Sequence, residues 1–405
     1  NVKGKFIAAG LVAVLAAAQN VSAKNLEDIL KEKGVITEAD YKEVSRSKPF
    51  DYKLGKGFTF TSADEKFQFT LGGRMQFRYT FLDYDSDSAS RDSSKFEAKR
   101  IRLIAQGHAY TRNLTYKMEI DPKVLTESNA RGGLLDCFVN YKLMDELQFL
   151  VGQTKVKYGY TNIQSDANLM FVDRVPWVGN MVPSYELGVF AHGKAFNGFM
   201  DYALSVTNGD GQTQASDFNH NAFGARVAIS PFGAMANDEP DLAISKQPLM
   251  TVGANYFYNT LSAGENTAKY GTWDTSAPTA WNNIKDISNY GFDTHFKWMG
   301  LAVQGEALWA EGQGYGTAVD RRAMGWYAQA GYMITPKIGV AFRYSQFDPD
   351  RDRGNDLQSD QIGAVSYYFH KHNLKVQADV GNIHTQRAAG STDDMQYRIQ
   401  AQLVF

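Results

Sequence analysis

Residues 67–81, FQFTLGGRMQFRYTF, alternate between apolar and polar side chains. Phe67, Phe69, Leu71, Met75, Phe77, Tyr79 and Phe81 fall on one side of an extended chain. Gln68, Thr70, Arg74, Gln76 and Arg78 fall on the other. A helix would scatter these residues around its circumference, so the pattern commits the segment to a strand with one apolar and one polar face. The same period recurs down the chain. KRIRLIAQGHA sets Ile101, Leu103 and Ala105 against Arg100, Arg102 and Gln106, and LTYKMEID sets Leu114, Tyr116, Met118 and Ile120 against Lys117, Glu119 and Asp121. The chain finishes on YRIQAQLVF, where Tyr397, Ile399, Ala401, Leu403 and Phe405 oppose Arg398, Gln400 and Gln402.

Followed to the end, this period predicts about sixteen strands, at 67–83, 95–110, 113–122, 133–143, 146–158, 184–196, 197–208, 218–232, 248–262, 288–300, 301–313, 322–336, 337–350, 358–371, 373–387 and 394–405. The connections sort into two kinds. Those at 111–113, 144–146, 197–198, 335–336 and 371–373 are tight; those at 84–94, 123–132, 159–183, 209–217, 263–287, 314–321, 351–357 and 388–393 are longer and polar. Short and long mostly alternate, as in a transmembrane barrel with short periplasmic turns and long outer loops. The fold expected is therefore all-β: a transmembrane antiparallel barrel of about sixteen strands, preceded by a short N-terminal helical arm. The stretch 233–247 breaks the alternation, through either a slip of register or an insertion in a periplasmic turn.

Composition separates this reading from a soluble sandwich. Aromatics make up 13% of the chain and charged residues only 21%. Aromatics are doubled at the ends of several apolar faces, as in Tyr290 and Trp298, Trp326 and Tyr332, and Tyr397 and Phe405. That matches two girdles at membrane interfaces.

Three segments are expected. Residues 1–23 read as a secretory signal peptide, with basic Lys3 and Lys5, the apolar run FIAAGLVAVLAAA and the small-residue site VSA. Residues 24–57 read as a short helical periplasmic arm and linker, with Gly34 able to stop a first helix and Thr37 capping a second. Residues 58–405 form the barrel. The single cysteine, Cys137, excludes an intrachain disulfide and multi-cysteine metal sites, and is expected on an outward strand face.

If the apolar faces meet lipid, the polar faces line a water-filled interior. Arg74, Arg78, Arg100, Arg102, Lys117, Arg226, Arg343 and Arg398 are the inward cations expected to attract anions. Lys142, Lys297 and Lys375 point the same way. The inward acids are Glu119, Asp121, Asp136, Asp201, Asp293, Glu306 and Asp379. The basic excess gives an anion preference, because a charged cleft with low-dielectric walls concentrates counter-ions. A lumen of paired charges that only keeps the wall wet is the competing reading. The loop 159–183 stands third among the outer loops, where general porins narrow their pores. Lys155, Lys157, Asp173 and Arg174 are the constriction candidates, against an outward surface loop.

No catalytic site emerges. The seven histidines are scattered, with no HExxH, HxxEH or GxSxG, and the glycine spacing of DPDRDRGND does not suit a calcium loop. No metal or cofactor is expected, and a net charge of −2 leaves no electrostatic footprint for nucleic acid. Beside a passive channel, the function class left open is a structural barrel that docks or houses an electron-transfer or surface partner protein.

Several motifs in order resemble the phosphate-selective porins of the O and P type. They are FEAKRIRLIAQGHAYTRNLTYKMEIDP (96–122), GQTKVKYG (152–159), FVDR (171–174) and YELGVFAHG (185–193). ILKEKGVITEADYKEV resembles the leader of many members. The resemblance implies a sixteen-stranded, usually trimeric channel of the bacterial outer membrane, embedded in its lipid and passing small anions. Where the family often has Lys-x-Pro-Phe-Gly, this chain has Lys155, Val156, Lys157, Tyr158 and Gly159. The alternating C-terminal strand with Phe405 resembles the signal read by the outer-membrane assembly machinery.

Overall fold

A computed structural model describes residues 30–35, 37, 49–85, 90–122, 133–213, 220–260, 284–314, 320–387 and 390–405. The chain divides into residues 1–49 and 50–405. In the first unit, the described piece is one helical turn. Gly34 ends it in a left-handed conformation (φ 67°), donating its N–H to the Lys31 carbonyl at 3.0 Å. The expected signal peptide and second helix lie outside the described residues.

The second unit opens with a hairpin, β1 (Phe50–Lys53) and β2 (Gly57–Thr61). The barrel follows: β3 (Gln68–Asp83), β4 (Ser93–Ala109), β5 (Thr111–Ile120), β6 (Leu134–Met144), β7 (Leu147–Lys155), β8 (Tyr185–Ala195), β9 (Met200–Thr207) and β10 (Ala222–Ile229). It continues with β11 (Leu249–Thr260), β12 (Ile284–Trp298), β13 (Leu301–Gly314), β14 (Arg321–Thr335), β15 (Ile338–Asp348), β16 (Gln358–His370), β17 (Leu374–Thr385) and β18 (Thr392–Val404). Each strand pairs antiparallel with the next. β18 closes the ring on β3, from Met395↔Asp83 to Val404↔Arg74. The sixteen expected strands are all present. β12 starts at Ile284 rather than 288, and the connection between β12 and β13 is a two-residue turn at Met299 and Gly300, both at positive φ (49° and 87°), which a reading of period alone absorbs into the strands.

Closure leaves a step at the seam, and the first hairpin fills it. β3 begins six residues before its pairing with β18 starts. β2 takes that part of the edge, from Phe58↔Leu71 to Thr61↔Gln68. Gly73 and Phe405 exchange backbone hydrogen bonds of 2.8 and 3.0 Å between the two ladders. The edge of β3 is thus shared end to end, with little left unpaired.

The two faces of the wall sort as the alternation requires. Phe77, Val139, Val151, Val189, Leu204 and Phe292 point outward and are exposed, as is Cys137. Gln76, Arg78, Lys297, Gln304, Arg343 and Lys375 point inward and are buried. Such a surface suits hydrocarbon outside and polar groups inside. The stretch 233–247 is an insertion, because β10 keeps continuous register with both β9 and β11.

Candidate functional site

The connection between β7 and β8 does not lie on the surface. It folds into the barrel and is buried over most of its length. It carries two single-turn helices, α1 (Tyr160–Ile163) and α2 (Val178–Met181). Its entry depends on Gly159, at φ 69°. That conformation favours glycine, and a Cβ there would sit 2.8 Å from the Glu306 carboxylate of β13, which would have to move aside. The Thr161 N–H donates to that carboxylate at 3.1 Å, tying α1 to the wall.

From Asp166 to Asp173 the loop is held by its backbone. Gln76 donates to the carbonyl of Asp166 (3.2 Å), Gln402 to that of Ala167 (3.0 Å), and Lys375 and Gln377 to that of Leu169 (3.0 and 3.1 Å). Gln377 and Ser366 reach Met170 (3.0 and 3.2 Å), Arg78 reaches Val172 (3.0 Å) and Arg343 reaches Asp173 (3.2 Å). These donors stand on β3, β15, β16, β17 and β18. A loop buried in a polar interior needs its backbone groups paired, and the inward glutamines, lysine and arginines supply that pairing.

The arginine stripe of β3 and β4 meets the loop's two carboxylates. Arg74 pairs with Asp166 at 2.6 Å and Arg100 with Asp166 at 2.7 Å. Arg78 pairs with Asp173 at 2.9 Å, and Arg100 with Asp173 at 2.8 Å. Arg102 pairs with Asp121. Burial by itself raises the Asp166 carboxyl, but Arg74, Arg100, Arg174 and Arg102 outweigh it and hold the group well below the usual carboxylate range. Asp173 is held low in the same way, burial being overcome by Arg100, Arg78 and Arg398.

The remaining expected cations sit against carboxylates of the wall. Arg398 grips Asp379 with both arms (2.7 and 2.8 Å), and Arg226 grips Asp293 likewise (2.5 and 2.8 Å). Lys117 bridges Glu119 and Asp136 (2.9 and 2.6 Å). Arg343 is wholly buried, 4.7 Å over the Phe171 ring and 3.5 Å from Asp360. Of the constriction candidates, Lys155 donates to the Asn162 carbonyl at 2.7 Å, and Arg174 to the carbonyls of Thr161 (2.9 Å) and Gln164 (2.5 Å). Lys157 is exposed. The structure brings Asp173 and Arg174 together with Arg74, Arg78, Arg100 and Arg102, while Arg226 stands apart on β10.

Beyond Asp173 the contacts change character. Val175, Trp177, Val178, Met181 and Val182 form an apolar core with Phe257, Ile287, Leu308, Ala323, Tyr327 and Phe347 of the inner wall. Trp177 stacks on Phe347, with ring centroids 5.8 Å apart. This part of the inner wall is apolar, which the polar-inside rule does not anticipate. Reasoning from the sequence also passes over Asp166, which lies in a segment without a period, and the anchoring role of the inward glutamines and Ser366, whose signal is only that they occupy polar positions of alternating strands.

A family model for the phosphate-selective porin O and P matches residues 69–405. An uncharacterised protein of Aquifex aeolicus is 23% identical over 451 residues, covering all of both chains. Porin O of Pseudomonas aeruginosa is 21% identical over 359 residues, 81% of this chain and 77% of that protein. Among solved structures, the outer membrane channel DcaP of Acinetobacter baumannii superposes with a TM-score of 0.59 at 14% identity, over 86% of this chain and 100% of that one. An anion-selective porin from Comamonas acidovorans gives 0.56 at 10% identity, over 83% and 99%.

Proposed function

The chain belongs to the phosphate-selective porin O and P family, and from that premise we infer that this bacterial outer-membrane porin passes small hydrophilic solutes by diffusion, with a mild preference for anions. The fold and family are those of a channel. One observation carries the anion preference. At the constriction, the side chains of Arg102 and Arg174 keep 13% and 20% of their surface exposed, against 8% for Asp166 and 10% for Glu119. Exposed Lys157 adds to this. Asp166 is turned into the wall, while Asp173 and Asp121 keep 18% and 16% of their surface exposed. Against these two partly wet acids stand Arg102, Arg174 and exposed Lys157, so a passing ion meets a positive excess. The arginine fork suits phosphate and carboxylate groups. The loop fills much of the interior with the protein's own chain, which speaks against a barrel that houses a partner protein.

The test is the reversal potential of single channels in a salt gradient. An anion-sign potential is expected, and a cation-sign potential would sink the preference. Lys157→Gln is the informative variant, since Lys157 is exposed and anchors nothing in the loop; it should shift the potential toward cations. The arginine stripe is a poorer tool, because substitution there would also free the loop.

The assembly we propose is the homotrimer expected of the family, checked by chemical cross-linking in outer-membrane fragments. We also propose that residues 1–23 are removed on export, that the segment expected over 24–57 forms a periplasmic arm as far as residue 49, where β1 begins, and that the C-terminal strand is read by the assembly machinery. N-terminal sequencing of the membrane-inserted protein tests the first of these.

A further inference from the structure

The insertion between β10 and β11 folds into the barrel from the periplasmic end. Its base is fixed by Asp241, which is buried. One oxygen of that carboxylate accepts the N–H groups of Ser245 and Gly300, both at 2.8 Å, and the other accepts the Ser245 hydroxyl at 2.8 Å. Its middle is fixed by Lys297 of β12, which donates to the Ala236 carbonyl at 3.3 Å and pairs with Asp238. From this footing, Asn237 and Glu239 reach the tip of the inward loop.

Five hydrogen bonds meet around it. The Glu239 N–H donates to the Asn168 carbonyl at 3.0 Å, and the Asn168 amide donates to the Asn237 carbonyl at 3.0 Å. The Met170 N–H donates to the Glu239 carboxylate at 2.8 Å. His295 of β12 donates through Nε2 to the Glu239 carbonyl at 3.0 Å, and its Nδ1 accepts the Tyr160 hydroxyl at 2.9 Å. Among the described residues no wall side chain takes the carbonyl of Asn168, unlike those of Asp166, Ala167, Leu169 and Met170, and the insertion supplies a donor there. Glu239 is only 3% exposed, so its carboxylate serves the loop.

We propose that the segment 236–241 is a strut that holds the constriction loop in place from below, and that Glu239 is the positioning residue through which it acts. The inference rests on the channel reading for its effect on conduction. The strut itself is testable without reference to ion flow. The porin wall grips the outward side of the loop tip; the strut closes the side facing the periplasm. A loop braced on both sides stays at one depth in the pore, so one open level is expected in single-channel records.

The experiment compares Glu239→Ala, Glu239→Gln and Asn168→Ala in the full-length protein, each checked for the heat-modifiable gel mobility of a folded barrel. Hydrogen exchange is read over peptides spanning residues 165–175. Glu239→Ala should speed exchange there by roughly tenfold, as expected for one lost buried hydrogen bond, and should add flicker to the open-channel current. Glu239→Gln keeps a carbonyl for the Met170 N–H and should stay at the parent rate. Asn168→Ala should fall between them. Exchange unchanged in both alanine variants would overturn the strut, as would a glutamine variant as fast as the alanine one. No ion current in the parent protein would overturn the channel reading and leave the exchange result standing.

Discussion

The inward loop is held in two ways by two sides of one barrel. Residues 165–174 are fixed by ion pairs and by side chains that hydrogen-bond the backbone, against β3, β4 and β15–β18. Residues 175–182 are fixed by burial of Trp177, Val178 and Met181 against apolar positions of β11–β15. The difference teaches which job each chemistry does. Buried ion pairs give directional, register-specific contacts but must first lose their hydration, so their net contribution is modest. Apolar burial is non-directional and scales with the area removed from water. The polar half sets where the loop sits; the apolar half supplies much of the reason it stays.

Removing the loop's two anchoring carboxylates should do the greatest damage. Asp166→Ala with Asp173→Ala leaves Arg74, Arg78 and Arg100 buried without the loop carboxylates that neutralise them. Breaking a buried pair from one side costs about 3–5 kcal/mol, so the double variant should exceed any single apolar deletion. Urea unfolding in lipid vesicles measures it, and a loss below that of Trp177→Ala would reverse the ranking of the two halves. Trp177→Ala should itself cost about 3–5 kcal/mol from lost burial and the cavity left. A silent Trp177→Ala would mean that the apolar half carries little.

Gly325→Ala asks how tightly the apolar half is packed. A Cβ at Gly325 would lie 2.4 Å from the Trp177 ring. Overpacking of this kind costs about 1–3 kcal/mol, and the cost should vanish when Trp177→Ala is already present; persistence in the double variant would locate the strain elsewhere.

The pH dependence separates the halves without mutation. Asp166 and Asp173 are held well below the ordinary carboxylate value. A depressed native pKa gives stability that is present above the unfolded value, about 3.9, and is lost as pH falls through the native value. Loop exchange, corrected for its intrinsic rate, should therefore be flat from about pH 8 to pH 5 and rise only in stronger acid. A rise near neutrality would place another group in control.

The smallest effect is expected at Tyr158. Its hydroxyl is buried and has no hydrogen-bond partner among the described residues. Tyr158→Phe should be neutral or slightly stabilising, within about 0.5 kcal/mol, and would match the aromatic that the family often carries before this glycine.

The strands were readable because each residue's face follows from its own position, and a period of two needs no partner to be seen. β3 and β18 run within two residues of their expected spans. The hairpin β1–β2 leaves no comparable pattern. Phe58, Thr59, Phe60 and Thr61 alternate too briefly to separate from a linker, and β2 is a strand only because β18 leaves it a free edge. The loop and the strut were undecided for a different reason. Whether residues 159–183 point in or out depends on Arg74, Gln76 and Gln402, which lie about 90 or more than 230 residues away in sequence. Such couplings join side chains across the barrel, and no local pattern records them. Period alone points Arg74, Arg78, Arg100 and Arg102 inward, but their partners Asp166 and Asp173 sit in a segment with no period at all.

The wall takes hold of the loop chiefly by its carbonyls, and carbonyls are the same whatever residue bears them. At Ala167 and Leu169 the wall thus grips the backbone and no side-chain polar group, whereas Asn168 is also held through its own amide. The inward loop is seated like a plug in a socket: the wall reads the run of its backbone, and the buried side chains of Ala167 and Leu169 need only fit the space the socket leaves.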